Sequence, residues 1–458
     1  MISTIVPEPA GHGSATPSGS AVVRLSVPDD HRWSRNLTKE LEPEGAQLMD
    51  TIHRHWISRQ GDETGFVHLK YDLLRQHIPN VANVRDRLVS SRVIDVNETY
   101  VPGVRSMSYR IMPEFRQTHV QTFEDAALAR RLARSRAKRE RQLLPVQRRL
   151  QEHLALPDFD LERALRKISR INAVPPKRRK QALNLADYQM MLSEQCRAFH
   201  EELTFETPEI NPDDHGRLHS SFSRLPGIVR GCLSINGEPL VGCDLANAQP
   251  LMLGLIAVGF LSCRKTRQRL LTYKPLDKNP YGRQREGRER EALSITMTGR
   301  KLQTHTGKGV YENRLCHAFE YLEVCEAGQL YQSLSTSRLS AESVKRSLLI
   351  EMNAKVDSDL SPVMKRFKQD HPIDYEVMTA LKEDNHRRLS WILQNQEARL
   401  IIGRVCRRLL DESPEIPLLT IYDSIMTTPG HFETVKRVAH EEFAAVGLNP
   451  TFKRETYG

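Results

Sequence analysis

From Pro239 to Phe260 the chain reads PLVGCDLANAQPLMLGLIAVGF, and Asp244 is its only charged residue. A run this apolar belongs inside a protein, but its longest uninterrupted part, around residues 250–260, falls short of the roughly 20 residues needed to span a bilayer. The pattern predicts a buried strand ending at Asp244, a turn, and a helix. Downstream, IPLLTIYDSIMTTPGH predicts a second strand with YDS in a hairpin turn, which leaves Asp423 exposed at a strand tip. Two carboxylates at the ends of adjacent strands suit a pair of divalent cations, two Mg²⁺ or Mn²⁺, which in phosphoryl transfer stand roughly 3.5–4 Å apart. Mg²⁺ keeps several waters, so Asp244, Asp423 and the backbone carbonyl of Leu245 suffice as protein ligands. The same two residues also fit ordinary turn and helix-cap aspartates.

The charge balance narrows the partners. A formal net charge of +10 and a pI of about 9.2 suit a polyanion, nucleic acid before an anionic membrane. The seven cysteines stand singly with no CxxC pair, which reads as reduced thiols. The N-terminus has no basic region followed by an apolar one, so it is no secretory signal, and the expectation is a soluble cytoplasmic protein without membrane contact.

Along the chain, residues 1–35 are expected to be a disordered tail rich in Pro, Gly, Ser and Ala. Between 40 and 116, EGAQLMDTIHRHWI, LKYDLLRQH and VANVRDRLVSSR predict three helices. VIDVNETYVPGVRSMSYRIM then predicts a hairpin turning at Pro102-Gly103. Three helices and a hairpin make a winged-helix-like domain. Arg85, Arg87 and Arg92 fall on or just after its candidate recognition helix and Arg105 in its wing; such domains bind nucleic acid or serve as protein-interaction modules. Residues 120–210 form a basic helical region, thumb-like or a linker, broken near Pro145 and carrying PPKRRK at 175–180. Residues 211–458 form the remaining domain, with a basic insertion at about 262–310; THTGKG at 304–309 lacks the spacing of a phosphate loop.

The motifs of this last domain resemble those of A-family, DNA polymerase I-like polymerases. HGRLHSSFSRLPGIVRG, with Gly216, Arg217, Leu218, Ser220, Pro226 and Arg230, resembles the segment before the first metal aspartate. CDLANAQPLMLG resembles motif A, YLEVCEAGQLYQSLS the finger segment, and ESVKRSLLIEMNA motif B. VKRS is closest to the version in phage-type single-subunit RNA polymerases. FKQDHPIDYEVM, SWILQNQEARLIIGRV and TIYDSIMTTP follow in the family's order, the last resembling motif C.

The resemblance implies an α+β right-hand fold, an antiparallel palm sheet with helices plus fingers, and a polymerase adding nucleotides to a 3′-hydroxyl. Its partners would be a DNA or RNA primer-template and nucleoside triphosphates. By the same resemblance, Asp244 and Asp423 hold metal, and Lys345, with Arg346 beside it, meets the triphosphate. Arg217 and Arg230 touch nucleic acid, Gln394 reaches the duplex minor groove, and Tyr422 takes the place of the motif C histidine. The departures are specific. Motif B has Ala341 for an arginine, Leu349 for the stacking aromatic and Asn353 for a tyrosine, and motif A has Gln249 for the glutamate that gates the sugar. Gln249 and Asn353 can hydrogen-bond to each other or to a 2′-hydroxyl, so dNTP and rNTP both remain open. DNA-directed DNA synthesis leads. An RNA polymerase or primase, a template-independent nucleotidyltransferase, and an inactive palm acting as a DNA-binding replication initiator are the alternatives.

Overall fold

The computed structural model describes residues 22–60, 65–98, 107–174, 184–205, 208–274, 310–356 and 359–457. Arg105, the Pro102-Gly103 turn, PPKRRK, THTGKG and most of the 262–310 insertion lie outside them. The chain is α+β, with helices around small antiparallel sheets, and divides into two compact units. Unit 1 is Met1–Ala137 with Pro175–Leu183; unit 2 is Lys138–Val174 with Asn184–Gly458.

Unit 1 runs β1 (Val22–Pro28), α1 (Glu42–His55), β2 (Val67–His68), α2 (Tyr71–His77), α3 (Val81–Ser90), β3 (Ile94–Asn97), β4 (Ser108–Ile111) and β5 (Thr118–Glu124). Strands β2, β4 and β3 make one sheet in that order, and Asp95 pairs across it with Arg110, the carboxylate accepting at 2.6 Å. The apolar positions Val81, Val84 and Leu88, spaced three and four apart, bury one side of α3. Two expectations fail here. The tail does not extend to residue 35: Val23, Leu25 and Val27 bury one face of β1, which pairs along its whole length with β5. The unit therefore also reaches past residue 116. Composition hid this strand, because its partner lies nearly a hundred residues on.

In unit 2, α4 (Ala126–Glu140), whose end falls in this unit, and α5 (Pro145–His153) are separate helices, with Pro145 at the first position of α5, where its missing N–H is harmless. Next come β6 (Asp158–Phe159), α6 (Leu161–Ser169) and α7 (Leu185–Phe205). β6 pairs with β9 (Leu233–Ile235), which pairs with β10 (Glu238–Pro239), so Lys138–Val174 and Asn184 onward are built into this unit. A short pair, β7 (Asn211–Pro212) with β8 (Leu218–His219), precedes β9.

The apolar run forms β11 (Val241–Leu245) and α8 (Ala248–Ser262). A helix apolar on every side has to be surrounded. α8 packs against α10 (Val310–Glu326), α13 (Pro372–Lys382) and α14 (Arg387–Leu400). A Cβ on Gly254 would meet Leu322 Cδ1 at 2.8 Å and Tyr321 Cδ1 at 3.2 Å, so the α8–α10 approach requires glycine there. Around this core lie α9 (Arg264–Leu271), α11 (Ala341–Asn353), α12 (Pro362–Asp370), and, beyond a π-helical stretch at Ile401–Cys406, α15 (Arg407–Glu412). The chain ends through β12 (Leu419–Ile421), β13 (Ser424–Thr427), α16 (Phe432–Ala444) and β14 (Phe452–Thr456). The main sheet has the order β12-β13-β11-β14, antiparallel throughout, with α16 packed on β11. No helix among the described residues is long and apolar enough to cross a membrane, and all seven cysteines are free thiols.

Candidate active site

The sheet order places Asp244. β11 lies between β13 and β14, with Asp244 opposite Ser424 on one side and Lys453 on the other. Ile421 pairs with Ser424, which leaves Tyr422 and Asp423 as the two-residue turn between β12 and β13. The backbone carbonyl of Asp423 accepts from the Leu245 N–H at 3.3 Å, pinning the turn against the end of β11. Both aspartates are half-buried, so Asp423 is not the exposed tip that its turn predicts.

Their proton affinities follow from that position. Burial, then the Asp423 and Glu455 carboxylates, push Asp244 up to about 7, against the pull of Lys345 and Lys453. Burial also raises Asp423; its own backbone N–H, Arg217 and Lys345 oppose the rise, and Glu455 adds to it. Two carboxylates that each gain from losing negative charge are a donor set suited to a hard divalent cation. Among the described residues no three His, Cys, Asp or Glu side chains converge as a metal cluster. The protein therefore offers two carboxylates, with Leu245 beside them, buried and paired with Phe452.

α11 carries Lys345, Leu349 and Asn353. Ser340 caps it by accepting from the Ser343 N–H. Lys345, Leu349 and Asn353, four apart, share one face. Lys345 is exposed, and its charge reaches both aspartates. Arg346 points elsewhere, exposed and 3.8 Å from Glu342. Asn353 Nδ2 donates to Gln249 Oε1 at 3.4 Å and to the Leu349 carbonyl at 2.7 Å. The two amides, 104 residues apart, thus meet in the first turn of α8. Asn247, at the N-cap of α8, holds the left-handed φ of 54° that the turn from β11 requires.

The predicted nucleic-acid contacts divide into several groups. Arg217 is committed internally: Nε and Nη2 donate to both oxygens of Glu397 at 2.8 and 2.7 Å, and its guanidinium lies 5.2 Å from the Tyr422 ring centre. Arg230 stands 5.8 Å from the ring of Tyr457, whose hydroxyl donates to Glu455. Gln394 is half-buried and donates to Ser390 Oγ at 2.9 Å. In unit 1, Arg85 pairs with Asp86 at 2.7 Å, and Arg87 donates to Asn83 and to the Asn36 carbonyl. Arg92 is exposed in the turn before β3, at a φ of 56°.

Four groups near the aspartates escaped the sequence reading. Glu397 is buried inside α14, and burial pushes it up to about 7 against the pull of Arg217. Lys453 and Glu455 lie on β14, a strand whose alternating charges carry no motif. Tyr331 is raised by burial, by Cys325 and by Asp423. Gly242 lets β14 close on β11, since a Cβ there would stand 3.1 Å from the Tyr457 hydroxyl and 3.2 Å from Ser424 Oγ.

The fold and site define an α+β chain with a paired-carboxylate centre on an antiparallel sheet. No protein-family model matches the chain, and no curated protein matches it in sequence. Among solved structures it is similar to the POL domain of Pol1 from M. smegmatis in complex with DNA primer-template and dNTP, at 13% identity and a TM-score of 0.30, over 89% of this chain and 80% of that one. Backbone agreement at that level defines no shared fold, and the site stands on its own geometry.

Proposed function

We propose that the protein is a nucleic-acid polymerase of the right-hand type, extending a 3′-hydroxyl with nucleoside triphosphates. One observation carries the reading: Asp244 at the end of β11 and Asp423 in the turn before β13 lie within reach of each other's charge, and the charge of exposed Lys345 acts on both. The four-stranded sheet is the palm, and α10 to α13 are the fingers. Asp244, Asp423 and the Leu245 carbonyl would hold the cations. The chemistry that two Mg²⁺ or Mn²⁺ ions would supply there is activation of the attacking hydroxyl and neutralisation of the leaving pyrophosphate.

The chain's own residues do the rest. Lys345 binds the triphosphate, while Arg346, beside Glu342, lies away from it. The Gln249–Asn353 pair sits beside the nucleotide sugar with Leu349 under the base, and Gln394 touches the duplex. The N-terminal unit, winged-helix-like in its element order, binds nucleic acid through Arg92 and Arg105, and its affinity falls with salt. DNA synthesis is the leading reaction.

Primer extension with purified protein, Mg²⁺ or Mn²⁺, and either dNTPs or rNTPs tests this. Incorporation that Asp244→Ala and Asp423→Ala abolish is expected. No incorporation by the wild type, or equal incorporation by both variants, overturns it.

A further inference from the structure

The Arg217–Glu397 pair has no task in this reaction, yet it is built with more care than a surface ion pair. Glu397 is 1% exposed and its partner's side chain 14%. The bonds are bidentate and join positions 180 residues apart. The loop carrying Arg217 is tied down separately: Asp213 Oδ1 accepts from the N–H groups of His215 and Arg217 at 2.9 Å each, and its Oδ2 lies 3.1 Å from His219 Nε2. Arg217 and His219 both face Tyr422, the guanidinium 5.2 Å and the imidazole 5.8 Å from its ring centre. Tyr422 holds a φ of 55°, a region a bulky aromatic enters only when its surroundings force it. The next residue is Asp423.

We propose that Arg217 and Glu397 are positioning residues, a buried clamp that holds Tyr422 in its left-handed turn and thereby sets Asp423 opposite Asp244. The proposal rests on the two-carboxylate reading of the site. It also removes Arg217 from the nucleic-acid contacts. A phosphate could engage Nε and Nη2 only by stripping Glu397 of its partner, leaving a buried carboxylate unpaired. The clamp gives Glu397 a use in a helix otherwise anchored in the core: a buried helix holds a turn that carries a positive φ.

The test is Mn²⁺ binding to the full chain without nucleic acid or nucleotide, read as free Mn²⁺ by electron paramagnetic resonance, with a melting curve for each variant. Asp244→Asn and Asp423→Asn are expected to lose binding. Glu397→Gln and Arg217→Lys are expected to weaken it by about tenfold, as lost support of a metal-holding carboxylate does. Tyr422→Gly, which takes a positive φ freely, is expected to bind more tightly than Tyr422→Ala. This comparison tests whether the backbone of the turn sets the site, and it can be read even if the clamp variants fold poorly. Wild-type affinity in Asp244→Asn and Asp423→Asn would sink the two-carboxylate reading itself. Loss in those two, with wild-type affinity in Glu397→Gln and Arg217→Lys or equal affinity in the two Tyr422 variants, would overturn the clamp alone.

Discussion

Replacing Asp244 with asparagine should stabilise the metal-free protein, and only at high pH. In the folded chain Asp244 holds its proton to about 7, against 3.8 for an ordinary aspartate, chiefly through burial and the Asp423 charge. At full strength that difference is worth about 4 kcal/mol. The side chain is only partly buried, and screening by solvent halves the figure to about 2 kcal/mol. The sign follows from the raised value. Stability from the extra proton is fully present below about pH 4 and is lost as pH rises through about 7. Asparagine never makes that loss. The gap between variant and wild type should thus grow from near zero at pH 4 to about 2 kcal/mol at pH 8, or about 4 °C in melting temperature. Urea unfolding in EDTA, followed through Trp391, the one tryptophan of unit 2, measures it. Saturating Mn²⁺ should reverse the order, because it stabilises the wild type by about 2.7 kcal/mol at a hundredfold excess over Kd and leaves the variant unmoved. A gap that stays flat from pH 4 to pH 8 would refute the placement of this carboxylate.

Three further outcomes are expected. Gly254→Ala should destabilise unit 2 by about 1–3 kcal/mol, read from the urea midpoint, because the new methyl group drives α8 into Leu322 and Tyr321. Gln249→Leu leaves Asn353 without its partner amide, and competition between dNTPs and rNTPs in primer extension should shift by about tenfold, the worth of one hydrogen bond. Glu455→Gln removes a charge that raises both aspartates, so the pH midpoint of the Asp244→Asn stability gap, measured in that background, should fall.

What the sequence could tell divides by distance along the chain. Asp244 and Asp423 were legible because each ends an apolar strand within a few residues, and burial of that strand is a local signal. The helices of unit 1 and the 94–111 hairpin were legible for the same reason. β1 was not: seven residues of alternating pattern stand beside a Pro- and Gly-rich stretch, and only pairing with Thr118–Glu124 shows their use. Arg217 illustrates the opposite failure. Its motif predicts a nucleic-acid contact, but the carboxylate that occupies it lies in a helix 180 residues downstream. Lys453 and Glu455 come to the site only through the register of β14 on β11, which no short motif encodes.

The position of β11 also governs when the site can exist. Its neighbours in the sheet, β13 and β14, are both made after it, and roughly 180 residues separate Asp244 from Asp423. At about 5–20 residues per second, a growing chain would carry this apolar strand without either partner for about 10–40 seconds. During that time there is one carboxylate and no pair, and hence no place for a cation to act. The sheet thus works as a completion check: the centre assembles only once nearly the whole of unit 2 has been synthesised and folded around it.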